Sequence, residues 1–153
     1  MPILHAPGIP EFLIQELQFF ERKIQRLVAY TVMPDHVHAI VSVEKAKTLS
    51  DFLRDFKKYT SRELRRRIAR EGTDAPVRIW QPGTMDHCIR MTWERHDYYK
   101  HLAYLFHNSW KHLHIAPRDF PYHNFTSFVR DGTFEENFFA IDEKLLPVFA
   151  LYE

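Results

Sequence analysis

Residues 31 to 43, TVMPDHVHAIVSV, carry two histidines one residue apart, just after a Pro-Asp turn signal and inside a run of branched apolar residues. Side chains alternate along a strand, so His36, His38, Ile40 and Ser42 share one face while Val37, Ala39, Val41 and Val43 take the other. Alternate Cα atoms stand roughly 6.5 to 7 Å apart, close enough for two neutral imidazoles to converge on one divalent ion. An isolated His-x-His is more often a pair of polar residues on the wet side of a strand. A metal reading therefore needs further groups elsewhere in the chain.

Residues 101 to 108, HLAYLFHN, supply them. On a helix Tyr104 and Asn108 lie four residues apart and share a face, with His101 and Lys111 one turn to either side. A polar strip thus crosses an otherwise apolar helix. Asn108 offers a neutral oxygen as a third metal ligand, and Tyr104 a phenol that can act as a nucleophile beside a metal-bound electrophile. The plainer alternative is a half-buried aromatic and a solvent-facing amide. The histidines at 87, 96, 101, 107, 112, 114 and 123 show no comparable spacing and read as surface or hydrogen-bonding residues.

The elements that must position these groups follow from periodicity. Residues 10 to 25 open with Pro and carry a broad helical stripe; 25 to 32 and 36 to 43 read as strands of a hairpin. Thr48 or Ser50 is expected to cap a helix running to about Gly72, and VRIWQ and MDHCIRM around Pro82-Gly83 suggest a second hairpin at 77 to 91. A helix from Thr92 to about Leu113 is expected to turn Tyr99, Leu102, Ala103, Phe106, Trp110 and Leu113 to the core, and Pro117 and Pro121 then break the chain. This alternation predicts an α+β fold, a small antiparallel sheet backed by helices in a two-layer sandwich.

The chain of 153 residues, 45% hydrophobic and 27% charged, fits one globular domain, read as residues 1 to 132 followed by a tail from 133 to 153. Cys88 is the single cysteine, which excludes an intramolecular disulfide and a Cys-rich zinc site and points to a reducing cytoplasm. Neither a secretory leader nor a membrane span is expected. Residues 48 to 70 hold eight Lys or Arg against three acids, so +5 locally, and the net charge of +1 leaves −4 for the rest. Such asymmetry suits a polyanion: Arg54, Lys57, Lys58, Arg62, Arg65 and Arg66 are expected to follow the phosphate backbone of a nucleic acid, with Tyr59 available to stack an unpaired base. A merely solvated charged face is the alternative.

Four ordered segments carry a family resemblance. MPDHVHAIVSV, IWQPGTMDHCIR (79 to 90), HLAYLFHNSWKHL and DFPYHNFTSFVRDG (119 to 132) together resemble the single-tyrosine HUH transposases, and in particular the REP-associated tyrosine transposases. The resemblance implies a ferredoxin-like sheet bearing the histidines and a helix bearing the nucleophile. It implies His36, His38 and Asn108 as ligands of Mg2+ or Mn2+ and Tyr104 as the catalytic residue. It further implies cleavage and rejoining of single-stranded DNA with hairpin or palindromic structure by a monomer or homodimer. MPILHAPGIP leaves no room for the family's first strand, so the expected sheet either lacks that edge or receives it from residues upstream. Ser109, Asp119-Phe120 and His123-Asn124 depart from the family pattern.

Two other readings stay open on the sequence. One is a non-catalytic nucleic-acid-binding module of the same fold. The other is a hydrolase using His36 and His38 with Asp35 and a water, in which Tyr104 has no part.

Overall fold

The computed structural model describes residues 3–90 and 96–138, and the fold is α+β. The described residues form two compact units, the first from 3–28 and 41–87, the second from 29–40, 88–90 and 96–138. Among the described residues no helix is long and apolar enough to cross a membrane.

In the first unit, helix α1 (Ile9–Phe20) starts after Gly8, whose φ of 75° suits a residue without Cβ, and carries Pro10 and Glu11 in its first turn, where a missing N–H and a negative charge are both favourable. Its buried face is Ile9, Phe12, Leu13, Leu17 and Phe20, the spacing of an amphipathic helix. Helix α2 (Ala46–Arg70) buries Phe52, Phe56, Thr60, Leu64 and Ile68, one residue every four, and leaves its cations on the other faces. Phe56 is where the two helices lock, its ring edge to face with Phe20 at 6.0 Å and stacked on Phe52 at 6.1 Å.

The expected cap at Thr48 or Ser50 is not what starts α2. Lys45 is the N-cap residue and has no side-chain cap bond; Ser50 lies a turn inside and returns its hydroxyl to the Ala46 carbonyl. The predicted end near Gly72 is right: this glycine has φ 73° just beyond α2, the left-handed position that commonly stops a helix.

Strands β1 (Arg26–Val32) and β2 (Val37–Ser42) form a two-stranded antiparallel sheet. The turn Met33-Pro34-Asp35 closes with the Met33 N–H donating to the His36 carbonyl at 2.8 Å. In the second unit the other edge of β1 is covered: Tyr30 N–H donates to Asn124 Oδ1 at 3.0 Å, Val32 N–H to the Tyr122 carbonyl at 2.8 Å, and Thr31 bridges His123. A short segment thus satisfies backbone groups that an open edge would leave to solvent.

Among the described residues the sheet has two strands, fewer than the ferredoxin-like one the resemblance implies. The second hairpin expected at 77 to 91 is not formed among the described residues to 90, which run as turns and irregular chain. Side chains of α2 have taken the groups a hairpin would pair: Arg65 donates to the Val77 carbonyl at 2.5 Å, Lys57 to the carbonyls of Gln81 and Gly83, and Thr60 Oγ1 accepts the Trp80 indole N–H at 2.9 Å.

Helix α3 (His96–Leu113) is buried almost all round at its middle, from Leu102 to Ser109, with only Tyr104 partly exposed. Tyr99, Trp110 and Leu113, expected in the core, are half-exposed instead, and the first residues of the expected helix, 92 to 95, lie outside the described residues. Phe106 anchors the second unit with its ring 5.3 Å from Phe125 and 5.2 Å from Phe128, both on helix α4 (Phe125–Arg130), and 5.9 Å from Phe134. Ser109 closes α3: its hydroxyl lies 2.9 Å from the Ile115 carbonyl, while Ile115 N–H returns to the Ser109 carbonyl at 3.2 Å across His114, which takes the left-handed φ of 56°.

Candidate active site and nucleic-acid interface

Two neighbourhoods carry chemistry, one in each unit. In the second unit the rigid turn before β2 and the buried middle of α3 bring four side chains together. The His36 and His38 rings stand edge to face with centroids 4.7 Å apart, on the same side of the strand as the alternation requires. Tyr104 lies edge to face with His38 at 5.9 Å. Asn108, 0% exposed, donates its amide N–H to the Tyr104 carbonyl at 2.8 Å.

The electrostatics prepare these groups for a cation. Burial, reinforced by the charges of His36 and His112, pushes His38 down to about 4, so at neutral pH its imidazole is uncharged with a lone pair to give. A hydrogen-bonding contribution from Asn108 opposes that shift, which puts the amide beside the ring. Yet Asn108 Oδ1 is buried with no well-formed hydrogen bond among the described residues. Buried carbonyl oxygens are rarely left so, because an unmet one costs about 1–3 kcal/mol.

His36 is oriented from behind. Its Nδ1 lies 2.6 Å from Asp35 Oδ1, an arrangement that leaves Nε2 to face outward, and the same bond holds the Asp35 carboxyl below the usual range. A carboxylate tied to the back of an imidazole is a common partner of a metal-ligating histidine. Two imidazoles and one buried amide oxygen thus fit a divalent cation. Imidazole binds metal in its neutral form and an amide carries no charge, so such a set would leave the ion's charge to be met by an anion such as phosphate.

Of two further participants, sequence reasoning had set Lys111 on the polar strip without a role and had missed His112. The His112 ring lies 5.9 Å from that of His36, and the Lys111 ammonium 5.9 Å from the centre of the Tyr104 ring. The signal for His112 was present in the spacing: Tyr104, Asn108 and His112 repeat every four residues on one helix face. His101, at the other end of the strip, turns away to the backbone carbonyl of Asp97 at 2.8 Å and its carboxylate at 3.3 Å.

The first unit holds the basic helix, and its cations are less uniform than the sequence suggests. Arg54 pairs with Asp51 at 2.8 Å and Asp55 at 2.9 Å, Arg66 with Glu63 at 2.9 Å, and Arg65 caps the Val77 carbonyl. Lys57 spends its ammonium on the loop at 81 to 84. Lys58 and Arg62 are exposed, Arg62 with its guanidinium 5.6 Å over the Tyr59 ring. Tyr59 itself leans on Phe20 at 6.0 Å, so it is a packing residue rather than an open platform.

Comparison with known families gives one match. Residues 13–85 match the family model described as Transposase IS200 like, which bears out the resemblance to single-tyrosine transposases over that part of the chain. The matched stretch holds His36, His38 and the basic helix and stops before α3. No curated protein and no solved structure matches the chain.

Proposed function

We propose that this chain, whose residues 13–85 carry IS200-like transposase sequence, cleaves and rejoins single-stranded DNA through a tyrosine-linked intermediate. The observation that carries the proposal is the meeting of Tyr104 and Asn108 with His36 and His38 in one cluster. Only the histidines lie in the family match; the tyrosine and the amide join them through the fold.

His36, His38 and Asn108 would hold Mg2+ or Mn2+, which when bound neutralises charge on a non-bridging phosphate oxygen and polarises phosphorus. The Tyr104 phenol attacks that phosphorus in line and loses its proton. The bond to the deoxyribose 3′-oxygen breaks, the departing oxygen takes up a proton, and a 5′-phosphotyrosine remains. The phosphodiester's bond energy is retained in this link, so a 3′-hydroxyl of another strand can reverse the step without ATP. Lys111, beside the Tyr104 ring, adds positive charge where the phosphate must sit. Asp35 keeps His36 in the tautomer that presents Nε2.

The DNA partner in this reading is single-stranded, with hairpin or palindromic structure, as in the REP-associated group whose motif order the chain follows. The exposed cations of α2, with Arg54, Arg65 and Arg66 at shorter reach, track the backbone, while Lys57 shapes the adjoining loop. The protein acts as a monomer or homodimer.

The test is a denaturing gel with end-labelled hairpin oligonucleotide. The parent protein with Mn2+ or Mg2+ should give a slow, protein-linked band, lost with chelator and in Tyr104→Phe. An adduct that survives Tyr104→Phe overturns the nucleophile; DNA binding with no adduct under any condition makes the chain a binding module of the same fold.

A further inference from the structure

We propose that the groove between α2 and the loop at 80 to 86 is a subsite for one unpaired base of single-stranded DNA, stacked on the Trp80 indole. The proposal deepens the DNA reading above and rests on it, but it concerns binding in the first unit and needs no cleavage.

The groove is a shallow, open depression of about 660 Å³, a shape that suits one face of a flat ligand rather than an enclosed one. Its wall is a fixed aromatic plane. The Trp80 N–H donates to Thr60 Oγ1 at 2.9 Å, the Thr60 hydroxyl passes its own hydrogen to the Phe56 carbonyl at 2.7 Å, and the indole rests against the Phe56 ring at 6.0 Å. The donor end and one side of the indole are thus engaged, while the ring stays half-exposed and lines the groove.

The loop that carries Trp80 is tied to α2 a second time. The Lys57 ammonium donates to the Gly83 carbonyl and to Thr84 Oγ1 at 2.9 Å, which pins the Pro82-Gly83 turn to α2. Gly83 has φ 76°, a conformation that a residue with Cβ rarely takes. Arg54 on the rim is paired with Asp51 and Asp55, which leaves the exposed Lys58 as the rim cation that can meet a phosphate, beside the acid Asp86. Ser50, Ser61 and Gln81 line it with neutral donors and acceptors that can meet a base edge of any identity. Only a single strand exposes base faces, and stacking on an aromatic tolerates every base. A duplex would offer the groove phosphates alone.

The experiment is equilibrium binding by fluorescence anisotropy, in chelator and with the full chain, of a short oligothymidylate and an abasic strand of the same length and charge. The parent should prefer the base-bearing strand by about tenfold, the size expected for one stacked base. Trp80→Ala should bind both strands at the abasic level, and Trp80→Phe, which keeps a platform, should recover most of the preference. Equal binding of the two strands by the parent overturns the subsite while leaving the DNA reading intact, and this arm needs no variant to fold. A preference retained in Trp80→Ala overturns it too, as does a loss in Trp80→Ala that is equal for both strands. Failure to bind either strand overturns the DNA reading itself.

Discussion

His38 and Tyr104 meet edge to face with their ring centroids 5.9 Å apart, and the Asn108 amide lies one turn further along the same helix. The amide oxygen is buried beside the His38 ring without a well-formed hydrogen bond among the described residues, so little stability is lost when it is removed. Asn108→Leu removes that oxygen at similar volume. Without metal it should therefore be as stable as the parent to within about 1 kcal/mol, or more stable. Mn2+ should raise the melting temperature of the parent, by an amount equivalent to about 2.7 kcal/mol at a hundredfold excess over Kd, and leave Asn108→Leu and His38→Ala unmoved. A Mn2+ shift retained in both variants would remove them from the ligand set.

Acid should unfold the protein through its buried histidines. His123, packed against Phe106 and Phe120, is pushed down by burial to about 4 against an ordinary 6.5, with backbone hydrogen bonds offsetting part of the shift. The unfolded chain binds this proton first as pH falls. The stability is therefore complete above pH 6.5, is lost between 6.5 and 4, and changes no further from this group below 4. The full shift is worth roughly 3 kcal/mol. Urea denaturation of His123→Phe and parent at pH 7 and pH 4.5 checks it: the variant should lose less stability on acidification. Identical slopes would show that His123 is protonated in the folded state over the same range.

The histidine pair and the Tyr104–Asn108 stripe were legible because each depends on one period, two along a strand and four along a helix. What joins them was not, since no local pattern says which helix face meets which strand face. The second hairpin failed for a related reason. VRIWQ has strand-like composition, but Thr60, Arg65 and Lys57 satisfy its polar groups from α2, and no residue of that segment announces the partners. Charge was the least legible feature: eight cations in residues 48 to 70 look equivalent in sequence, whereas their partners divide them into ion-paired, loop-holding and exposed sets.

That division gives a salt prediction. Exposed cations that meet phosphates release counterions, so on single strands log K should fall by about 0.7 per contact for each unit of log salt. Reversing Lys58 and Arg62 to Glu should weaken binding and flatten this slope. Lys57→Met should weaken binding at every salt with little change of slope, because its ammonium holds Gly83 and Thr84 rather than DNA. A Lys57→Met variant whose slope falls as far as that of the Lys58 and Arg62 reversals would show that Lys57 leaves the loop to meet phosphate.

The last prediction concerns which tyrosine reacts. Tyr99 lies five residues before Tyr104, about 140° around the helix, and Tyr98 six before, about 120° away on the other side. Tyr99 also packs on Phe134 at 5.3 Å, within the aromatic cluster of the second unit rather than beside His38. Tyr98→Phe and Tyr99→Phe should therefore keep the protein-linked band, with only whatever stability change the lost hydroxyl brings. Lys111→Met should slow adduct formation without abolishing it, and Lys111→Arg should restore most of the rate, since the role assigned to this residue is charge beside the reacting phosphate. Single-turnover rates with labelled hairpin DNA separate the cases. If Lys111→Met lowers DNA affinity while leaving the rate at saturating DNA unchanged, its charge serves the bound strand and not the transition state.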